Sequence, residues 1–129
     1  MEKQPLGLYI HIPYCIHKCG YCDFNSHPIK HDEMDHYIDA LVAEMKHYAK
    51  NYSNTNIIKT IFLGGGTPTT LTVYQLERIL KECVKEFKVA PDAEITIEAN
   101  PATIDIEQMK SIRKTGYNRI SIGVQSFDK

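Results

Sequence analysis

The sequence lacks a long hydrophobic run and an excess of charge of either sign. Its longest apolar stretches, such as 61–63, are far shorter than the roughly 20 residues that cross a bilayer as a helix. Fifteen lysines and arginines against 16 acidic residues give a net charge of -1, which predicts no basic surface for nucleic acid. No apolar segment of signal-peptide length follows Met1. We therefore expect a cytoplasmic protein with no membrane span and no nucleic-acid partner.

Cysteine is scarce, yet three of the four cysteines, Cys15, Cys19 and Cys22, fall within eight residues. Three clustered cysteines cannot all pair with one another, and a reducing cytoplasm favours metal ligation over disulfides. The spacing Cys-x3-Cys-x2-Cys suits a 4Fe–4S cluster with one iron free of protein ligands. It also suits a Cys3His zinc site, whose fourth ligand would be one of His11, His17, His27, His31 and His36. Spacing alone leaves both possibilities open.

Hydrophobic periodicity predicts alternating strands and helices. The predicted strands cover 7–12, 57–63, 94–98 and 119–124, with a turn at 91–92 before the third. The predicted helices run from 32 to 50, from Thr72 and from Asp105, with Gly116 ending the last. Helical crossovers favour parallel pairing, so we predict an α/β fold with the order βαβαβαβ.

The apolar positions of these helices predict which faces are buried. On the first helix they are Met34, Ile38, Leu41, Met45 and Tyr48, and on the second Leu76, Ile79, Leu80, Val84 and Phe87. Met109 and Cys83 are also expected in the core. Thr72 and Gln75 have the spacing of a capping box.

Unusual polar groups follow every predicted strand. They are the cysteine loop at 13–31, the run Gly-Gly-Gly-Thr-Pro at 64–68, Glu98 and Gln125. Ligands of parallel α/β folds bind at the carboxyl ends of the strands, so the four groups are expected at one site. The glycine run either lets amides approach an anionic group or is a flexible turn. Glu98 either holds an ammonium or ribose hydroxyls or is a surface ion-pair residue, and Gln125 has the same status.

Five segments resemble the radical S-adenosylmethionine enzymes. Within that superfamily they resemble the oxygen-independent coproporphyrinogen III oxidase-like branch, which includes haem chaperones. The segments are 8–15, 21–24, 64–68, 98–101 and 118–127. The resemblance implies the N-terminal part of a partial (β/α)6 TIM-like barrel. Residues 1–129 would be the N-terminal portion of a radical SAM core domain, truncated before the remaining barrel and a C-terminal domain. Such a fragment is expected to be inactive alone.

The resemblance also implies the site. Cys15, Cys19 and Cys22 would ligate a 4Fe–4S cluster, and S-adenosylmethionine would contact Tyr9, Tyr21, Gly65, Gly66, Thr67, Glu98 and Gln125. No side chain is assigned as catalytic. Phe24 stands where the true oxidases have a further cysteine, which favours a haem chaperone over an oxidase. The partners implied are a porphyrin or haem and an electron donor. A non-catalytic zinc module is the alternative from another class.

Overall fold

The computed structural model describes residues 3–15, 27–28, 31–52, 54–66, 68–100 and 105–122. The strands are β1 (Gln4–Ile12), β2 (Tyr14–Cys15), β3 (His27–Pro28), β4 (Asn56–Gly65), β5 (Val89–Ala99) and β6 (Arg119–Ile122), and the helices are α1 (His31–Tyr52), α2 (Val73–Glu86) and α3 (Ile106–Thr115). A four-stranded parallel sheet has the order β1-β4-β5-β6, and a second, two-stranded parallel pair consists of β2 and β3. The predicted α/β fold is confirmed.

The two faces of the main sheet differ in what covers them. Alternate strand residues join the helices in one core cluster, among them Ile10, Ile12, Ile61, Leu63 and Ile97. The residues between them lie on the other face, where Tyr9 and His11 are exposed and Thr96 is buried. Because side chains alternate along a strand, the helices cover one face, and among the described residues the other face presents Tyr9 and His11.

Side-chain caps begin two of the helices as the sequence predicts. Thr72 accepts a hydrogen bond from the Gln75 amide at 3.1 Å, and the Gln75 side chain accepts one from the Thr72 amide at 2.9 Å. Asp105 caps α3 by accepting from the Gln108 amide. Gly116 ends α3 with φ at 126°, a conformation that favours glycine.

The buried stripe of α1 differs from the predicted one in its second half. Met34, Ile38 and Met45 are buried as expected, but the other two inner positions are Val42 and Ala49. Leu41 is half-buried, and Tyr48 is 49% exposed. The stripe therefore advances one residue further along the helix than predicted, since a helix of 3.6 residues per turn allows spacings of three or four at each step.

Two further burial predictions were wrong, and β1, β4 and β5 are longer than predicted, β5 by the most. Val84 is 56% exposed because it lies at the margin of the buried face of α2, which consists of Leu76, Ile79, Leu80 and Cys83. Met109 is 36% exposed on α3. The turn expected at 91–92 lies inside β5, where the pairing with β4 jumps from Ile58↔Val89 to Thr60↔Glu94. Pro91 therefore interrupts the register without ending the strand.

Buried groups link the elements of the core. Tyr117 donates its hydroxyl to the Leu76 carbonyl at 2.8 Å and so joins the start of β6 to α2. Cys83 Sγ lies 4.0 Å from Met45 Sδ between α2 and α1, which confirms its predicted place in the core. Within the described ranges, none of the helices is long and apolar enough to span a membrane.

Candidate functional site

The carboxyl ends of the four parallel strands meet at one edge of the sheet. The register aligns His11 of β1 with Gly64 of β4, and Glu98 of β5 with Ser121 of β6. Phe62 of β4 aligns with Thr96 of β5, and continuing that register by two residues aligns Gly64 with Glu98. His11, Gly64, Glu98 and Ser121 therefore form one row across the open face. We call this row and its neighbours Tyr9, Phe62, Gly65 and Gly66 the carboxyl rim.

A backbone–side-chain hydrogen bond joins two of the predicted site residues. The Gly65 amide donates to Glu98 Oε1 at 3.2 Å, so the ends of β4 and β5 are tied together. The next amide, that of Gly66, donates to the Ile12 carbonyl at 2.7 Å. Both amides are therefore used within the protein. The Gly65 amide thus receives a carboxylate from within the chain, and the binding of a ligand's anionic group at the glycine run stays a prediction.

The absence of a side chain at Gly65 allows the end of β4 to lie close to β1. Gly65 has φ at +113°, and a Cβ there would lie 2.7 Å from His11 Nδ1 and 2.8 Å from the Ile12 carbonyl oxygen. Real Cβ atoms do not approach so closely, and L side chains rarely adopt this φ. Glycine is therefore required for β4 to end against β1 in this way.

Tyr9 places a phenol at the same rim. Its side chain is 61% exposed, and its ring stacks on Phe62 with centroids 5.8 Å apart and planes 15° apart. Partial burial, and then the negative charge of Glu98, raise the pKa of the Tyr9 phenol. The phenol therefore remains a hydrogen-bond donor beside a carboxylate acceptor. The glycine run and Glu98 are thus brought together with Tyr9, as the sequence predicts.

Periodicity could have identified two more rim residues. His11 and Tyr9 are two apart on β1 and so share a face, and their rings lie 6.2 Å apart. Sequence reasoning considered His11 only as a zinc ligand and did not single out Phe62. The Tyr37 hydroxyl also donates to the His11 carbonyl, which ties α1 to the rim end of β1.

The cysteine loop is only partly described. The backbone of β2 pairs Tyr14 with His27 and Cys15 with Pro28, so the two ends of the predicted loop lie side by side, directly after β1. Cys19, Tyr21, Cys22, Thr67 and Gln125 lie outside the described residues. Among the residues that the structure does describe, no three His, Cys, Asp or Glu side chains form a metal-binding group. The contact roles predicted for these residues remain predictions.

The described part of the rim fits an amino-acid-like cofactor beside a thiolate-bound cluster. Soft thiolates select iron–sulfur clusters or zinc, and the first of them, Cys15, follows β1 at this edge. Glu98 presents a half-buried carboxylate with one oxygen bonded to Gly65, and the Tyr9 ring lies against the backbone of the neighbouring Gly64. A carboxylate and a phenol together suit ammonium and hydroxyl groups.

Comparisons with known proteins identify the family to which the chain belongs. The Radical SAM superfamily profile matches residues 9–129. The chain is 44% identical over 130 residues to "Heme chaperone HemW" of Escherichia coli (strain K12), which covers 100% of this chain and 34% of that protein. It is 41% identical over 121 residues to "Heme chaperone HemW" of Bacillus subtilis (strain 168), which covers 93% of this chain and 32% of that protein.

A solved structure shows the same fold. The structure titled "Coproporphyrinogen III oxidase (HemN) from Escherichia coli is a Radical SAM enzyme" matches with a TM-score of 0.88 and 38% identity, over 98% of this chain and 29% of that chain. The four parallel strands alternating with helices correspond to its TIM-barrel-like radical SAM fold. The chain spans about a third of the length of the curated relatives that it matches. On the match of the family profile to nearly the whole sequence, the chain belongs to the radical SAM superfamily.

Proposed function

We propose that the chain binds a 4Fe–4S cluster through Cys15, Cys19 and Cys22 and binds S-adenosylmethionine at the carboxyl rim. Membership of the superfamily implies this pair of cofactors. The observation that supports the proposal best is the bond between the Gly65 amide and Glu98, beside the Tyr9 phenol. The bond holds the Glu98 carboxylate at the end of β4. This strand pairs with β1, which carries Tyr9 and precedes the cysteine loop.

Each rim residue has a distinct part in this proposal. Glu98 uses one oxygen to tie β4 to β5, and its charge attracts an ammonium group or accepts hydrogen bonds from hydroxyls. Tyr9 donates from its phenol, and Gly65 and Gly66 form the end of β4 against which the cofactor lies. Tyr21, Thr67 and Gln125 complete the predicted contacts. The cluster, when bound, supplies one-electron reduction of the cofactor's sulfonium.

We propose that the whole protein is a haem chaperone whose ligand is haem or a porphyrin. The two curated relatives described above are named haem chaperones, and Phe24 occupies the position of the further cysteine that the resembled oxidases have. The second candidate is an oxygen-independent coproporphyrinogen III oxidase, because the solved structure that matches at a TM-score of 0.88 is titled as one. Either protein would need an electron donor to reduce the cluster in each catalytic cycle. Reduced cysteine ligands are consistent with the proposed cytoplasmic location.

Anaerobic reconstitution with iron and sulfide tests the cofactor proposal. The expected product is a brown protein with about four irons per chain, which then binds S-adenosylmethionine in equilibrium dialysis. Cys83→Ala is the matched control, because Cys83 lies in the core and should leave the iron content unchanged. A colourless protein with one zinc per chain would show that the site is a zinc module.

The choice between chaperone and oxidase needs the full-length protein. A chaperone is expected to bind haem with a defined stoichiometry and to leave coproporphyrinogen III unchanged in the presence of S-adenosylmethionine and reductant. Formation of protoporphyrinogen IX would instead identify an oxidase.

A further inference from the structure

Phe62 lies beside Tyr9 on the face of the sheet opposite the helices. The parallel register pairs the two residues across β1 and β4, so their side chains leave the same face. The ring centroids are 5.8 Å apart and the ring planes differ by 15°, which is within the range of offset stacking. Phe62 is half-buried whereas Tyr9 is exposed. Phe62 is therefore the better anchored of the two rings.

Gly64 provides the space that this stack requires. A Cβ on Gly64 would lie 2.7 Å from Phe62 Cε1 and 2.9 Å from Tyr9 Oη. Both rings therefore extend over the Gly64 backbone, and the phenol oxygen lies directly above it. The next residue is Gly65, whose amide donates to Glu98. Gly64 and Glu98 each follow the Leu63–Ile97 pair of β4 and β5, so the phenol oxygen lies over the residue that neighbours Glu98 in the sheet.

We propose that Phe62 is a positioning residue of the carboxyl rim: its ring holds the Tyr9 ring over Gly64, so that the Tyr9 hydroxyl and the Glu98 carboxylate face one bound ligand. The ligand class is a molecule with ammonium and hydroxyl groups, as in S-adenosylmethionine, so the inference rests on the proposed function. Phe62 acts through Tyr9 and does not itself contact the ligand. The raised pKa of the Tyr9 phenol, caused first by burial and then by Glu98, agrees with this placement.

The alternative is that Phe62 only fills space on the sheet. The two roles differ in what they require of residue 62. Positioning requires an aromatic ring, so Phe62→Tyr should preserve it and Phe62→Leu, which keeps apolar bulk, should not. Space filling requires only volume, so Phe62→Leu should then behave like the parent in every measurement at the rim.

A ligand-free experiment tests the contact itself. Tyr9 is replaced by 3-fluorotyrosine through amber suppression in the full chain, and ¹⁹F NMR records its resonance before any cofactor is added. We expect a resonance displaced from that of 3-fluorotyrosine at Tyr74, which is 76% exposed. Phe62→Leu should move the Tyr9 resonance toward the Tyr74 position, and Phe62→Tyr should not. A Tyr9 resonance that does not respond to Phe62→Leu would overturn the proposal.

Cofactor affinity tests the consequence. In the anaerobically reconstituted chain, Phe62→Leu should weaken S-adenosylmethionine binding by about three- to tenfold, the range expected for loss of one aromatic pair. Phe62→Tyr should stay within about twofold. In a Tyr9→Leu background, Phe62→Leu should have no further effect, because coupled residues are non-additive.

The controls separate this inference from the proposed function. Phe87→Leu makes the same chemical change in the core below α2 and should lower stability without changing cofactor affinity. Additive losses from Tyr9→Leu and Phe62→Leu would overturn the positioning role. A parent chain that binds no S-adenosylmethionine would contradict the proposed function, and the ¹⁹F result would then decide the Phe62–Tyr9 contact by itself.

Discussion

The Gly65 amide donates to Glu98 Oε1 across 3.2 Å, between residues 33 positions apart in the sequence. The bond joins the last residue of β4 to the penultimate residue of β5. It fixes the carboxylate at the edge where the strands end, next to the Tyr9 phenol. The acceptor that we assign to the cofactor is thus held by the backbone at the end of β4.

Loss of the Glu98 charge should weaken cofactor binding without unfolding the chain. Glu98→Gln keeps an oxygen that can accept from Gly65 but removes the negative charge. A hydrogen bond to a charged group contributes about 1.5–3 kcal/mol, so S-adenosylmethionine affinity should fall by about ten- to a hundredfold. Isothermal titration of the reconstituted chain measures this. Glu94→Gln is the control, since Glu94 pairs with Arg119 on the same strand face at 2.8 Å; an equal loss there would show a general charge effect.

Two glycines with positive φ should differ in what they affect. Gly65→Ala and Gly116→Ala both place an L side chain at a φ of +113° or +126°, and each should cost roughly 1–2 kcal/mol in the free energy of unfolding. Only Gly65 lies at the rim, so only Gly65→Ala should also reduce S-adenosylmethionine affinity. Urea titration and equilibrium dialysis give the two quantities. Equal cofactor affinity in both variants would remove Gly65 from the site.

The capping box of α2 gives a stability prediction that is independent of function. Thr72→Ala removes the oxygen that accepts from the Gln75 amide at 3.1 Å, and the free energy of unfolding should fall by about 1 kcal/mol. Thr72→Ser retains the hydroxyl and should recover most of this loss. Chemical denaturation monitored by circular dichroism measures both. If the serine variant is as unstable as the alanine variant, the hydroxyl is not what stabilises the helix start.

The cluster cysteines and the core cysteine should respond differently to substitution. Cys15→Ala, Cys19→Ala and Cys22→Ala should each lose iron on reconstitution, because the proposed cluster has three protein ligands and all are needed. Cys83→Ala should retain it, since burial raises the pKa of the Cys83 thiol to about 12 and metal ligation requires the thiolate. Iron and sulfide assays decide this. Retention of a full cluster by any of the three loop variants would contradict the assignment.

Alkaline pH should destabilise the chain partly through Cys83. The folded-state pKa of about 12 lies above the ordinary thiol value of about 8.5. The unfolded state therefore loses its proton first, and the stability due to this thiol is fully present below about pH 8.5 and is lost as pH rises toward 12. Thermal unfolding between pH 8 and 11 should show a steeper decline in the parent than in Cys83→Ala. The pKa of the buried Tyr117 phenol is also raised, so this phenol contributes to the loss of stability at alkaline pH in the parent and in Cys83→Ala alike. Parallel curves would refute the role of Cys83.

The sequence predicted the order of elements because each local signal agreed with the others. Alternating apolar residues, the Thr72–Gln75 capping box and Gly116 define elements through contacts within a few residues. The predicted burial of Val84 and Met109 was wrong because burial depends on which neighbouring element covers a helix face. Pro91 predicts a turn by its local preference, yet β4 pairs with β5 on both sides of it.

For the site, the residue types could be predicted from the sequence. The three clustered thiols, the glycine run, Glu98 and Tyr9 are readable as residue types at fixed spacings, and parallel strands must end at a common edge. How these groups meet depends on the tertiary structure. It uses the amides of Gly65 and Gly66 for Glu98 and Ile12, and it stacks Phe62 on Tyr9 above Gly64. The physical reason is that register between strands distant in sequence is set by packing and hydrogen bonding across the sheet, which no local pattern specifies.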